Sequence, residues 1–247
     1  MNRIIIFVFL LSSLAIAANI KTVEFKSLDN LTLRADLYMI DEDEDRPFIV
    51  LYHQAQSSRG EYSKIALKLN RLGFNCMAVD LRSGKISNNI KNESYLNAVK
   101  SHKKTSYLKA RMDIVAALHY ARQYSTKLIA WGSSYSASLI LKTIGEKPRY
   151  AKAILAFSPG EYFSKFSKPN DYISSSAKKL KVPVFITSKR DEINNWKNIY
   201  DSIDEKYRVK FIPKANGHHG SSALWPKYSS SSEYWIAVEH FLNSLKL

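Results

Sequence analysis

The sequence contains little cysteine, glycine or proline: 1 Cys, 8 Gly and 7 Pro in 247 residues. A single cysteine, Cys76, excludes an internal disulfide. The scarcity of glycine and proline excludes collagen-like and linker-rich architectures. The Cys and His spacings that hold zinc are also missing, so we expect no metal and no cofactor.

Acidic residues are scarce relative to basic ones, with 22 Asp and Glu against 37 Lys and Arg, for a formal net charge of +15. Such a charge attracts anions but says nothing about the fold. Hydrophobic residues make up 45% of the chain, which is enough for a packed core. A chain of this length is most simply one large domain.

The N-terminus predicts a secretory signal peptide. Arg3 precedes an apolar run at 4–11, and small residues follow at 15–18. We expect cleavage after Ala17, which divides the chain into a signal peptide (1–17) and a folded domain (18–247). A membrane anchor is the alternative, but the apolar run is shorter than the roughly 20 residues that span a bilayer. The expected protein is secreted or periplasmic, with no membrane span after cleavage and no nucleic-acid partner.

Apolar periodicity predicts an α/β domain. Alternation over 31–39, together with 22–26, predicts an antiparallel N-terminal hairpin. Short apolar runs without alternation predict strands that are covered on both faces, at 48–52, 74–79, 128–131, 153–157, 182–186 and 209–212. Helical patterns lie between or after them, at 62–72, 114–121 and 235–245. This alternation predicts a mainly parallel sheet with helices on both faces.

A serine lies at the tip of a predicted strand-turn-helix. The turn is Gly132-Ser133-Ser134-Tyr135-Ser136, which matches the nucleophile motif G-x-S-x-G except that Ser136 replaces the second glycine. Neighbouring backbones crowd such a turn, and Gly132 and Ser136 are both small. The motif alone leaves a second interpretation open, in which Ser134 only caps the following helix.

An acid and a histidine follow Ser134 in the order that this kind of turn requires. Asp191 comes after the predicted strand 182–186, and His218-His219 comes after the strand 209–212. Ligands of parallel sheets bind beyond the carboxyl ends of the strands, so the three loops should share one edge.

The chain resembles the α/β-hydrolases, in particular the small dienelactone-hydrolase-like esterases, over nearly all of residues 18–247. Besides the serine turn, the shared motifs are Tyr52-His53-Gln54-Ala55, Gly73-Phe74, Val79-Asp80-Leu81-Arg82-Ser83-Gly84, and His219-Gly220 followed by Leu224. The resemblance implies a single-domain α/β-hydrolase fold with a minimal lid. Gln54 departs from the family, which usually has glycine there.

The resemblance also implies roles for the site residues. Ser134 would be the nucleophile, His219 the base and Asp191 the acid, with Glu192 as the alternative acid and His218 as the alternative base. The backbone amides of Ala55 and Tyr135 would form the oxyanion hole. His53 and Asp80 would be structural.

The predicted function is that of an exported serine hydrolase, which cleaves an ester or related acyl bond of a small-molecule or polymer-linked substrate. The alternatives are a catalytically silent binding protein on the same scaffold and a polyanion-binding module. Two lysine-rich segments suggest a cationic rim for anionic substrates, although lysines also simply solvate loops. The basic residues concerned are Lys100, Lys103, Lys104, Lys109, Arg111, Lys165, Lys168, Lys178, Lys179 and Lys181.

Overall fold

An eight-stranded, mostly parallel sheet forms the centre of the protein in a computed structural model that describes residues 19–247. The predicted signal peptide lies outside the described residues. The strands are β1 (Asn19–Lys26), β2 (Thr32–Met39), β3 (Phe48–Tyr52), β4 (Asn75–Val79), β7 (Leu128–Ser133), β8 (Ala153–Phe157), β9 (Val184–Thr187) and β10 (Arg208–Phe211). Their spatial order is β1-β2-β4-β3-β7-β8-β9-β10. The antiparallel β1–β2 hairpin pairs antiparallel with β4, and the remaining strands are parallel, as predicted.

Helices cover both faces of this sheet. They are α1 (Ser63–Arg71), α2 (Glu93–Lys100), α3 (Ala110–Ala121), α4 (Tyr135–Glu146), α5 (Ser174–Ala177), α6 (Ile193–Ser202) and α7 (Ser231–Ser244). One buried cluster joins α1 and α7 to Ile49 and Leu51 of β3, whereas the other joins α3, α4 and α6 to Val50 and Tyr52. Successive residues of a strand point to opposite faces, so a wholly apolar β3 supplies both clusters.

The inner strands are buried throughout, which explains why their sequences do not alternate. The prediction for 209–212 is wrong in one respect. β10 is the edge strand, and Val209 remains 46% exposed because only one neighbour pairs with this strand.

Two further segments, at 83–109 and 158–181, lie outside the main sheet. Residues 83–109 contain a small hairpin, β5 (Ile86–Ser87) with β6 (Ile90–Lys91), and the helix α2. The Asn92 side chain caps α2 by accepting from the Tyr95 N–H. Residues 158–181 contain only a 3₁₀ turn (Ser164–Phe166) and the short α5, so the lid is minimal, as predicted.

The strand order reverses between β3 and β7. β4 lies beyond β3 and β8 lies beyond β7, so the chain leaves these two adjacent strands in opposite directions. The loops that follow β3 and β7 therefore start side by side at the carboxyl edge, where open α/β sheets form their ligand sites. No helix within residues 19–247 is long and apolar enough to cross a bilayer.

Asp80 and Arg82 organise the loop that follows β4, but they do not pair with each other. Arg82 forms a buried ion pair with Asp113 of α3 at 2.7 Å. The Asp80 carboxylate accepts from the Arg59 N–H at 2.7 Å and from the Glu93 N–H at 2.8 Å. Burial raises the pKa of Asp80 to about 6. Because both carboxylate oxygens accept hydrogen bonds from backbone N–H groups, Asp80 has the structural role that the sequence indicated.

Candidate active site

Ser134 lies on a strained turn between β7 and α4. Its backbone has φ 60° and ψ −121°, a conformation that costs a non-glycine residue free energy. A Cβ on Gly132 would come within 2.6 Å of the Ala137 Cα, because the first turn of α4 folds back against the end of β7. The turn therefore requires glycine at position 132 and raises the serine out of the strand.

Ser136 uses its hydroxyl where the family motif has a glycine. This hydroxyl accepts from the Ser133 N–H at 2.9 Å and lies 2.8 Å from the Tyr52 carbonyl oxygen. It is completely buried. The Ser136 hydroxyl therefore links the serine turn to the end of β3. Replacement of the motif glycine by serine leaves the turn closed.

Ser134 does not cap α4. It stands at the N-cap position, yet its side chain accepts no hydrogen bond from the backbone of the helix. Its own N–H is held by the Phe157 carbonyl at 2.7 Å. The geometry thus contradicts the cap interpretation, since an N-cap serine is expected to bind an amide of the first turn.

His219 is paired with Glu192. The His219 Nδ1 lies 2.6 Å from the Glu192 Oε1, and the Ser158 hydroxyl donates to the other carboxylate oxygen at 2.8 Å. Ser158 in turn accepts from the Gly220 N–H at 2.9 Å. The carboxylate side chain is 13% exposed and the imidazole 38%. Both carboxylate oxygens of Glu192 are therefore hydrogen-bonded. The Nε2 atom of His219 takes no part in the pair with Glu192.

The assignment of Asp191 as the partner of His219 needs correction. The Asp191 carboxylate is 57% exposed and pairs with Lys189 at 3.1 Å. The strand β9 ends at Thr187, and Arg190–Glu192 form a 3₁₀ turn, in which successive side chains point about 120° apart. This turn directs residue 191 to solvent and residue 192 to the histidine.

His218 points elsewhere. Its ring stacks on Tyr228 with centroids 3.4 Å apart, whereas the acid contacts His219. Between the two histidines of the sequence, the geometry favours His219 as the base.

The serine turn and the histidine loop are in direct contact. The Ser221 N–H donates to the Ser133 hydroxyl at 2.8 Å, so the residue before Ser134 binds the loop just after His219. The Ser134 hydroxyl has no hydrogen-bond partner within the described residues. Catalytic hydrogen bonds often form only in the substrate complex. The structure thus brings Ser134, His219 and Glu192 to one edge of the sheet.

The backbone amides of Ala55 and Tyr135, the expected oxyanion donors, have no protein acceptor within residues 19–247. Tyr135 is the first residue of α4, so its N–H has no acceptor within the helix. Across residues 19–247, the Ala55 N–H also donates to no protein group. The amide of the preceding residue is already hydrogen-bonded, because the Gln54 N–H donates to the Glu61 Oε2 at 2.9 Å. Within residues 19–247, the amides of Ala55 and Tyr135 are therefore both free of protein acceptors.

Glu61 is a buried carboxyl group that sequence reasoning missed. It is completely buried, and its Oε1 has no hydrogen-bond partner among the described residues. Burial raises the pKa of Glu61, while the hydrogen bond from the Gln54 N–H and the nearby His219 ring act in the opposite direction. Glu61 thus anchors the loop after β3 within electrostatic range of the histidine.

We expect Glu61→Leu to lower kcat by about 10²-fold, the usual cost of losing one oxyanion donor, because the Gln54–Ala55 segment loses its anchor. Glu61→Gln retains an acceptor for the Gln54 N–H and should stay within about tenfold of the wild-type kcat. Steady-state ester hydrolysis and a thermal melt of each variant measure these effects. A folded Glu61→Leu variant with wild-type kcat would contradict the anchoring role.

His53 holds the base of the loop after β3 as a neutral ring. Its Nδ1 lies 2.7 Å from the Gln54 carbonyl, which can only accept, so Nδ1 carries the proton. Its Nε2 accepts from the Leu81 N–H and lies 3.0 Å from the Asn92 Nδ2. Burial lowers the pKa of His53 to about 4. This is the structural role predicted from the sequence.

This lowered pKa predicts an acid-sensitive fold. An unfolded histidine takes up its proton near pH 6.5, whereas buried His53 does so only near pH 4. Between these two pH values the unfolded state binds more protons, so the free energy of unfolding decreases as the pH is lowered. The loss approaches about 3 kcal/mol. The His53→Gln variant lacks this pH-dependent loss of stability. The raised pKa of Asp80 acts in the opposite direction, and it does so equally in the wild type and in the variant.

Urea unfolding at about pH 7 and about pH 4 tests this expectation. The stability difference between the wild type and His53→Gln should shrink by about 3 kcal/mol on acidification. A difference that stays constant would show that His53 titrates normally.

An aromatic wall continues from the serine turn. The Tyr135 ring lies 4.7 Å from that of Tyr107, which lies 6.3 Å from Phe166 in the lid. The Lys165 ammonium lies 5.5 Å from the Phe166 ring. One lysine of the basic lid segment is thus connected to the site through aromatic contacts.

Other basic residues of the predicted rim have different surroundings. Lys103 donates to the Asp29 carbonyl, and Lys181 lies over Tyr207. Lys109 and Lys168 line a groove between α3, α4 and the lid. The two basic segments therefore do not gather into a single rim.

No group of three or more His, Cys, Asp or Glu side chains within residues 19–247 is arranged to hold a metal ion. Cys76 is buried in β4, and burial raises the pKa of its thiol well above the usual range. A thiol in this state is a poor nucleophile.

Comparisons by sequence find no relatives: neither family models nor curated proteins match the chain. Solved structures do match. The Pyrococcus furiosus esterase Pf2001 superposes with a TM-score of 0.69 at 18% identity, covering 92% of each chain. Dienelactone hydrolase from Anabaena variabilis gives 0.67 at 14% identity, covering 92% of this chain and 97% of its own.

A third match is Est1E from Butyrivibrio proteoclasticus, whose structure has ferulic acid bound, with a TM-score of 0.66 at 13% identity, over 90% of this chain and 98% of its own. Identities this low support a statement about architecture. The chain has the α/β-hydrolase fold, similar to that of the dienelactone hydrolase.

Proposed function

We propose that the protein is a serine hydrolase that cleaves an ester or related acyl bond. The observation that carries this proposal is the His219–Glu192 pair, which lies at the same sheet edge as a serine that is strained and caps nothing. Ser134, His219 and Glu192 come from three different loops of this edge, and no structural role within the described residues accounts for the strain at Ser134.

In the proposed mechanism, the Ser134 oxygen attacks the acyl carbon while the Nε2 of His219 takes up the hydroxyl proton. Glu192 holds the Nδ1–H and stabilises the imidazolium. When the C–O bond breaks, His219 returns the proton to the leaving alcohol. Water then attacks the acyl-enzyme in the same way, releasing the acid and restoring the serine.

The oxyanion that forms in each half-reaction needs preorganised donors. The free amides of Ala55 and Tyr135 would supply them, each contributing about 3 kcal/mol to the stability of the transition state. Gln54 supports this arrangement in place of the usual glycine, since its side chain occupies space against Gly220. A Cβ on Gly220 would lie 2.5 Å from the Gln54 Oε1, and this position also has φ +68°.

The substrate class follows from the same surroundings. The Tyr107–Phe166 wall would accommodate an apolar or aromatic acyl group, and Lys165 at its end would favour an anionic substituent. A small-molecule or polymer-linked acyl substrate is proposed, since the segment that would cover the site contains only a short 3₁₀ turn and α5. The structure of Est1E with ferulic acid is an example of an aromatic ligand on the same fold.

Labelling with a fluorophosphonate probe tests the proposal. We expect one phosphonyl group per folded chain, located on Ser134 by peptide mass mapping, with heat-denatured protein as the control. Absence of labelling on the folded protein would overturn the hydrolase and favour the alternative, a silent binding protein. A label on Ser133 would overturn the choice of nucleophile.

We also propose export through cleavage after Ala17. Expression of the whole chain in a secreting host, followed by N-terminal sequencing, tests this step. A mature N-terminus at Ala18 supports it, and retention of Met1 in the extracytoplasmic fraction contradicts it.

A further inference from the structure

A groove lies on the side of the molecule between α3, α4 and the lid. Its volume is about 550 Å³, within the range of small-molecule sites. The lining residues are Leu28, Leu108, Lys109, Arg111, Met112, Val115, Thr143, Lys147, Tyr150, Lys168 and Tyr172. None of the candidate catalytic residues is among them.

One component of this lining is apolar. Met112 and Val115 of α3, with the rings of Tyr150 and Tyr172, form walls, and Leu28 from the β1–β2 turn is 57% exposed at the edge. Apolar side chains grouped in one groove indicate a binding site more often than a solitary exposed leucine does.

The other component is cationic. Four of the lining residues carry a positive charge, and among residues 19–247 no carboxylate lines the groove. Arg111 is neutralised by Glu146 and also donates to the Thr143 hydroxyl at 3.1 Å, which ties α3 to α4. Within residues 19–247, Lys109, Lys147 and Lys168 form no ion pair. The Lys168 ammonium lies 5.6 Å from the Tyr172 ring. An apolar cleft with three ammonium groups outside ion pairs is complementary to a ligand that is both apolar and anionic.

We propose that this groove binds a single-chain amphiphilic anion, an alkyl carboxylate taken up from solution. The alkyl chain would lie against Met112, Val115 and Leu28, and the carboxylate would lie beside Lys147 and Lys168. The site is separate from Ser134, so the proposal stands independently of the proposed hydrolase function.

Titration calorimetry with decanoate tests the proposal, with decan-1-ol and decyltrimethylammonium as uncharged and cationic comparators. We expect one saturable site for decanoate and at least roughly tenfold weaker binding of the comparators. Binding at several equivalent weak sites, or equal affinity for all three probes, would overturn it. Binding to anionic lipid vesicles without binding of free decanoate would also overturn it.

Paired charge reversals distinguish a defined site from the general basicity of the chain. Lys147→Glu/Lys168→Glu should weaken decanoate binding at least roughly tenfold. Lys178→Glu/Lys179→Glu makes the same change in net charge at exposed residues outside the groove and should leave the affinity within about twofold. Equal losses in both double variants would contradict the site.

Two further variants keep the outcome interpretable. Leu28→Gln changes an exposed residue, so the variant should fold, and it should weaken decanoate binding several-fold because part of the apolar wall is lost. Ser134→Ala should bind decanoate as the wild type does, whatever the result of fluorophosphonate labelling. Wild-type affinity in Leu28→Gln together with unchanged affinity in the lysine double variant of the groove would overturn the proposal.

Discussion

Ser134→Ala is expected to lower kcat for ester hydrolysis by about 10⁶-fold, which is the scale of loss when a triad nucleophile is removed. The variant removes no hydrogen bond within the described residues, because the Ser134 hydroxyl does not cap α4. The free energy of unfolding of the variant should therefore match that of the wild type. Initial rates on a short-chain p-nitrophenyl ester, with a thermal melt of each protein, measure both effects.

Ser133→Ala is the matched control for this experiment. Ser133 is the adjacent serine, and its hydroxyl accepts from the Ser221 N–H. Its loss should cost about 1 kcal/mol of stability and reduce kcat by no more than about tenfold. If Ser133→Ala abolished hydrolysis while Ser134→Ala retained it, the proposed nucleophile would be wrong.

Much of the fold could be predicted from the sequence, because the inner strands lie between two helical layers. A strand such as β3 buries every residue, so its apolar run is visible without any tertiary information. The position of β10 was not visible in this way. The run at 209–212 is grouped with the inner strands, yet Arg208 and Lys210 interrupt the apolar pattern of β10, and the order of pairing leaves one side of this strand uncovered.

Parts of the site were also local enough to predict. The turn at Ser134 needs a small residue at position 132, and the histidine loop needs a glycine with positive φ at position 220. Both requirements are properties of the backbone next to the functional side chain, so they can be recognised in the sequence. The order of serine, acid and histidine along the chain can be recognised in the sequence as well.

The remaining parts depend on contacts that no short motif encodes. Glu61 looks like a solvent-exposed acid in the sequence, yet it lies completely buried beneath the loop after β3. The choice between Asp191 and Glu192 depends on a single 3₁₀ turn after β9. A shift of one residue along such a turn exchanges the solvent-facing side chain with the one that faces His219.

Glu192→Gln is the second prediction of large effect, and we expect it to lower kcat by about 10⁴-fold. A glutamine amide beside Nδ1 favours the wrong imidazole tautomer and no longer stabilises the imidazolium, as with an acid-to-amide change in other triads. The Ser158 hydroxyl still has an oxygen to bind, so the loop should keep its structure. Hydrolysis rates and near-UV circular dichroism measure the two properties.

Asp191→Asn is the neighbouring control, and its kcat should lie within about twofold of the wild type. The Asp191 carboxylate is more than half exposed and, in the part of the chain that the structure describes, pairs only with Lys189, an arrangement that contributes little to stability. The two variants remove the same charge one residue apart, so a difference between them reports orientation and not net charge. A large loss in Asp191→Asn with normal turnover in Glu192→Gln would show that the catalytic acid is the one predicted from the sequence and that the turn rearranges during catalysis.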